Sequence, residues 1–71
     1  LRIEKGASLI GKTLAETNLR KKYGVNVLAI RRNDEVLSNP HGDTVLLLDD
    51  LLFVLGKPDK IIDVADLTHC V

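Results

Sequence analysis

LIGKTLAETNLRKKYGVNVLAIRR, residues 9–32, decides the fold. A glycine turn, a capped helix and a strand follow one another in it. Gly11 lets the chain bend after Leu9 and Ile10. Thr13 and Glu16 then stand three apart, as a capping box requires, each able to satisfy a free backbone N–H. The start and stop signals predict a helix over about residues 14–22. Arg20, Lys21 and Lys22 fall in its last turn, where cations suit the dipole, and Gly24 suits the left-handed residue beyond it. Asn18 is a poor mid-helix residue, so a break there stays open. Residues 25–32 read as the best strand. Val25, Val27, Ala29 and Arg31 fall on one face; Asn26, Leu28, Ile30 and Arg32 fall on the other.

Working outward, residues 1–5 alternate apolar and charged side chains, the period of a half-buried strand. Asn33 and Asp34 both tolerate positive φ and predict a hairpin turn into a short strand over 35–38, which Pro40 ends. Residues 41–44 read as a loop, and 45–48 as a strand or a packed turn. Residues 51–55, with Phe53 among them, are continuously apolar and predict a strand buried on both faces or central. Pro58 suits the first position of a last helix over about 58–67, whose packed side would carry Ile61, Ile62, Ala65 and Val64. The order is β-α-β-β-β-α. That is an α+β fold, a small mostly antiparallel sheet with helices on one face.

The chain of 71 residues is one domain with a small core. At about 60 residues a domain buries only roughly 60% of its unfolded surface. Oligomerisation enlarges such a core, and 45% hydrophobic content fits it. Ten acidic and ten basic residues cancel, which argues against a broad electrostatic surface for nucleic acid or membrane. The one cysteine, Cys70, forms neither a disulfide framework nor a metal spacing, and a reducing cytoplasm is the simplest setting. No signal peptide or membrane span is evident. The longest apolar stretch, 44–56, is interrupted by Asp49 and Asp50 and is too short. The chain opens without Met inside an expected strand, as a fragment of a larger protein would.

Residues 6–13, GASLIGKT, satisfy G-x-x-x-x-G-K-[ST] after a candidate strand. Leu9 and Ile10 occupy the loop that should wrap phosphates, and the chain is short for the sheet and magnesium-holding aspartate of a nucleotide triphosphatase. A capped helix start is the competing reading. Arg31 and Arg32 end a strand beside a turn. They are either a solvated edge that discourages pairing or forks for a phosphate, and alternation allows only one of them to be the primary ligand. Asn39, Pro40 and His41 can line an anion site or simply form a loop. His41, His69 and Cys70 fit no standard zinc spacing. Asp43, Asp49 and Asp50 read as a cap and a chain break. Ser8 and Ser38 have no base near them in sequence, so no catalytic residue is assigned.

The ordered motifs are Gly11-Lys12-Thr13-Leu14, Tyr23-Gly24-Val25, Ala29-Ile30 with its arginines, Asn39-Pro40, Asp43-Thr44 with Leu46, and Asp50-Leu51 leading to Gly56. In this order the chain resembles the TrkA-C domain, the C-terminal domain of regulators of potassium conductance, over about residues 1–67. The resemblance implies a non-enzymatic regulatory module that pairs as a homodimer. It would sit on the cytoplasmic side of the membrane, as part of or bound to a potassium channel, potassium transporter or cation–proton antiporter. It implies no cofactor, no metal and no direct nucleic-acid binding by this domain. Some bacterial members bind cyclic di-AMP between two protomers. The matching positions are Ile30, Arg31 and Arg32 at the strand end and Asn39, Pro40 and His41 on the hairpin return, with Leu9 and Ile10 in an adenine wall. Replacing Arg31 and Arg32 together with alanine is then expected to weaken an anionic ligand and leave the dimer folded. A ligand-free dimerisation domain and the sensing domain of a transcription regulator are the alternatives.

Overall fold

The computed structural model describes residues 1–69. Thr13 is extended, with φ −77° and ψ 161°, and caps α1, Leu14–Thr17. Its hydroxyl accepts the Glu16 N–H at 3.2 Å, and the Glu16 carboxylate accepts the Thr13 N–H at 3.0 Å. The helix stops after one turn because Asn18 takes φ 54°, ψ 30°; α2, Leu19–Tyr23, resumes behind it. The break that Asn18 left open is therefore present. Gly24 closes α2 at φ 69°, a conformation that glycine adopts without cost.

The sheet has three antiparallel strands in the order β2-β1-β3. β1 is Asn26–Arg32, β2 is Glu35–Ser38 and β3 is Leu51–Leu55. Arg32 pairs with Glu35, so Asn33 and Asp34 form a two-residue turn, with Asn33 left-handed at φ 57°. The β1–β3 register shifts between Val27 and Ala29, which leaves Leu28 as a bulge. An extra residue reverses the inside–outside alternation. Val25 and Val27 face the core before the bulge; Ile30 and Arg32 face inward beyond it, and Ala29 and Arg31 face out. The uninterrupted alternation expected over 25–32 is corrected accordingly.

β3 is not central, and only one of its faces is buried. β1 holds the centre, and β3 carries Leu52 inward at 2% exposure while Phe53 is 46% exposed. The free edge of β3 is covered by the start of the chain. Arg2 bridges Leu51, the Leu52 N–H donates to the Leu1 carbonyl at 2.6 Å, and the Ile3 N–H donates to the Asp50 carbonyl at 2.9 Å. The expected first strand is reduced to that bridge. Residues 45–48 form no regular strand: a single bridge joins Val45 to Thr13, Leu46 alone is buried, and the turn follows at 48–49.

One core cluster gathers Ile3, Leu9, Ile30, Leu46 and Leu52 under the sheet. A second joins Leu19 of α2, Val25 and Val64 of α3, Pro58–Leu67. Each such aliphatic side chain contributes about 1.5–3 kcal/mol on burial. Tyr23 packs on the second cluster from the end of α2. Ile62, expected on the packed side of α3, is 63% exposed; Ile61 takes the inner place. Helices thus cover one face of the sheet. Among the described residues no helix is long and apolar enough to cross a membrane.

Candidate functional site

Arg32 is held by Asp50. Its Nε donates to Oδ1 at 2.9 Å and its Nη2 to Oδ2 at 2.8 Å, a two-pronged ion pair. Nη2 also donates to the Val45 carbonyl, and Asp50 Oδ2 accepts the Leu47 N–H, both at 2.9 Å. Asp50 is 1% exposed. Its hydrogen bonds raise the Arg32 pKa above the usual guanidinium value. The pair ties β1 to the turn before β3. The register accounts for it: Arg31 pairs with Leu51, so Arg32 stands beside Asp50. Read in sequence as a chain break, Asp50 is a buried anchor.

The Walker-like segment does not form a phosphate cradle. Such a cradle needs free backbone N–H groups. Here the Ala7, Ile10, Gly11 and Lys12 N–H groups donate to the Glu4, Ala7, Leu46 and Leu9 carbonyls, and the Thr13 N–H donates to Glu16. The helix-cap reading is the one the geometry supports.

A cleft of about 290 Å³ opens where α1 and α2 meet the start of β1 and the loop 40–42. Leu14, Ala15, Leu19, Val25, Val27 and Pro40 supply apolar walls; Arg20 and Asn26 supply a guanidinium and an amide. Gly42 lets the loop close on α1. Its carbonyl accepts the Ala15 N–H at 2.9 Å, and a Cβ there would stand 3.3 Å from that of Ala15. Apolar walls with a few placed polar groups are what small-molecule sites share. Among the described residues, Arg20 makes no ion pair.

The residues singled out by sequence are dispersed. Ile30 and Leu9 are buried at 0% and 3% exposure, with Ile10 packed against the same cluster. Pro40 lines the cleft, and exposed His41 lies between it and Gly42. Asn39 is left-handed at φ 49° and donates its N–H to the Leu28 carbonyl at 2.9 Å. Arg31 is exposed on the outer side of the sheet, three residues beyond Leu28 along β1, or about 10 Å. Chain folding therefore brings Pro40 to Arg20 and Asn26, and not to Arg31. Sequence reading passed over Arg20 as a dipole partner and Asn26 as a strand residue; only their meeting with Pro40 in space marks them. Of the zinc candidates, His69 pairs with Glu4, and Cys70 lies outside the described residues. Among the described residues no three His, Cys, Asp or Glu side chains gather.

A three-stranded antiparallel sheet under short helices, with an apolar cleft at one end, defines a class of small α+β modules. Within it the chain belongs to the TrkA-C domain family, which matches residues 1–69. It is 42% identical over 57 residues to the K(+)/H(+) antiporter subunit KhtT of Bacillus subtilis, covering 79% of this chain and 34% of that subunit. It thus spans about a third of that relative's length. Two solved structures share the fold. The RCK_C domain dimer of S. agalactiae BusR in complex with c-di-AMP superimposes with a TM-score of 0.87 at 19% identity, covering 96% of this chain and 84% of that one. The RCK C domain of the potassium transport protein KtrA, also in complex with c-di-AMP, gives a TM-score of 0.85 at 23% identity, with coverages of 93% and 75%. BusR has further been solved with its promoter DNA.

Proposed function

We propose that this chain is the cytoplasmic regulatory domain of a bacterial potassium transporter or channel, or of a cation–proton antiporter. It acts without catalysis, by binding cyclic di-AMP between two copies of itself. One observation carries the reading: the cleft lined by Arg20, Asn26 and Pro40 joins one cation and one amide to aliphatic walls. Structures of the same fold bound to c-di-AMP, one of them a dimer, support it. The likeness to an antiporter subunit and to a potassium transport protein supports the transport setting.

A two-fold symmetric dinucleotide suits a site repeated about a two-fold axis. Each protomer sets Arg20 toward one phosphate, where a guanidinium can bind two oxygens at once. Leu14, Leu19 and Pro40 cover one adenine, and Asn26 can both donate to and accept from it. Asn39 and His41 adjoin Pro40 in the chain, and Leu9, Ile10 and Ile30 belong to the core cluster against which Leu14 packs. Arg32 belongs to the fold, and Arg31 lies outside the cleft. The ligand shifts an attached transporter only through its different affinities for the two dimer arrangements.

Calorimetric titration of the chain with cyclic di-AMP tests the reading, with cyclic di-GMP, ATP and AMP as controls. Saturable binding at one ligand per two chains is expected, with at least a tenfold loss in Arg20→Ala and in Asn26→Ala. Absence of heat from a folded dimer would leave a ligand-free dimerisation domain. The promoter-bound structures favour a second setting, a sensing domain on a transcription regulator. A DNA-binding segment elsewhere in the same polypeptide would select it.

A further inference from the structure

The Walker-like segment cradles no phosphate with its backbone, but its lysine side chain is uncommitted. Lys12 lines a second depression, of about 300 Å³, between the loop 8–12, the helix break at Asn18 and the end of α3. Lys22 of α2 lines it too, ten positions farther along the chain. This depression shares only Thr17 with the cleft at Pro40.

Neither ammonium group has a partner of opposite charge. Among the described residues the ion pairs are Arg32 with Asp50 and His69 with Glu4. Lys22 Nζ stands 5.5 Å from the centroid of the Tyr23 ring. Glu16 brings the one carboxylate of the lining, and the capping box commits its Oε1 to the Thr13 N–H. Two further donors stand beside the lysines. The Asn18 amide makes no cap hydrogen bond, although its residue begins α2. The Ser8 hydroxyl reaches the Leu67 carbonyl only at 3.5 Å, longer than an ordinary O–H···O bond. Leu9 and Leu67 add aliphatic surface between these polar groups.

Two cations, an amide and a hydroxyl beside aliphatic carbon fit one ligand chemistry. A phosphate monoester carries roughly 1.5 to 2 negative charges at neutral pH and three strong acceptor oxygens. Lysine binds phosphate as a point charge, so it does not need the fixed approach of a guanidinium fork. Small-molecule sites span roughly 300–1,000 Å³. The depression stands at the lower end of that range, which suits a phosphate on a few carbons and not a dinucleotide.

We propose that this depression binds a small phosphate monoester. Lys12 and Lys22 hold the phosphate, Ser8 and Asn18 donate to its remaining oxygens, and Leu9 and Leu67 lie against the carbon portion. The site is separate from the dinucleotide cleft and does not rest on it.

Titration of the full chain, followed by the shifts of its backbone amides in two-dimensional NMR at constant ionic strength, tests the proposal. Glycerol 3-phosphate is the probe, with inorganic phosphate and glycerol as controls. Saturable shifts are expected at Ser8, Lys12, Asn18 and Lys22, with the ester at least threefold tighter than inorganic phosphate and no shift with glycerol. Lys12→Gln and Lys22→Gln should each weaken the ester at least fivefold. Both side chains are exposed, so the rest of the spectrum should stay that of the wild type. Arg20→Ala should bind the ester as the wild type does, which separates this site from the cleft. Absence of saturable shifts, shifts centred on other residues, or lysine variants that bind as tightly as the wild type overturn the site. Inorganic phosphate as tight as the ester overturns the monoester, because the aliphatic surface then contributes nothing. A chain that binds cyclic di-AMP and not the ester loses this site and keeps the functional reading above.

Discussion

Arg32 and Asp50 lie 18 positions apart in sequence and meet through two hydrogen bonds, while Arg32 also donates to Val45 and Asp50 also accepts from Leu47. Removing one partner of a buried pair leaves the other charge without compensation, which costs roughly 3–5 kcal/mol when both are buried. The Arg32 side chain keeps 30% of its surface in water, so Arg32→Ala should fall at the low end, about 3 kcal/mol. Arg32→Lys keeps the charge and loses the fork, so it should recover only part of that loss. Urea denaturation of the two variants checks the order; equal stability of all three proteins would show that the pair does not anchor the turn. The expectation that the double alanine variant of Arg31 and Arg32 leaves the fold intact changes accordingly, since half of it removes this anchor. The opposed faces of the two arginines were legible from alternation alone. Which arginine is committed to the fold was not, because Asp50 becomes its partner only once β3 is laid against β1.

The capping box was readable because it is local: Thr13 and Glu16 bond to each other's backbone within one turn. Thr13→Ala should cost about 1 kcal/mol, read as a lower denaturation midpoint. The Glu16 carboxyl is held below the ordinary glutamate value, first by the hydrogen bond from the Thr13 N–H. A lowered folded-state pKa means stability that is fully present above the unfolded value and is lost as pH falls through the folded one. The advantage of the wild type over Glu16→Gln should therefore hold at neutral pH and shrink on acidification below the carboxylate range. Melting temperatures of both proteins across that range measure it, and a constant difference would detach the cap from the ionised form. Other features escape a local reading. The bulge at Leu28 is a property of the β1–β3 register and has no mark in NVLAIRR itself. Phe53 sits in a run without alternation because the outer face of β3 is apolar too, so a one-sided strand reads like a strand buried on both sides.

At the scale of the molecule, the fold was legible and the cleft was not. Its walls come from α1 and α2, the start of β1 and the loop at Pro40, three stretches that no spacing in the chain connects. That assembly makes a prediction about coupling. If one ligand is shared by two copies, dimerisation and binding are linked, and each must favour the other by the same factor. Cyclic di-AMP should then tighten the dimer as well as stabilise it. At a hundredfold excess over its dissociation constant it contributes about 2.7 kcal/mol, or roughly 5–10 °C in melting temperature for a dimer of this size. Arg20→Ala should remove the ligand-induced shift in both readouts. Melting curves and sedimentation on the wild type and this variant, each with and without the ligand, measure it. If cyclic di-AMP binds with full affinity to a chain that stays monomeric throughout, the site is complete within one chain and the coupling through the dimer is absent.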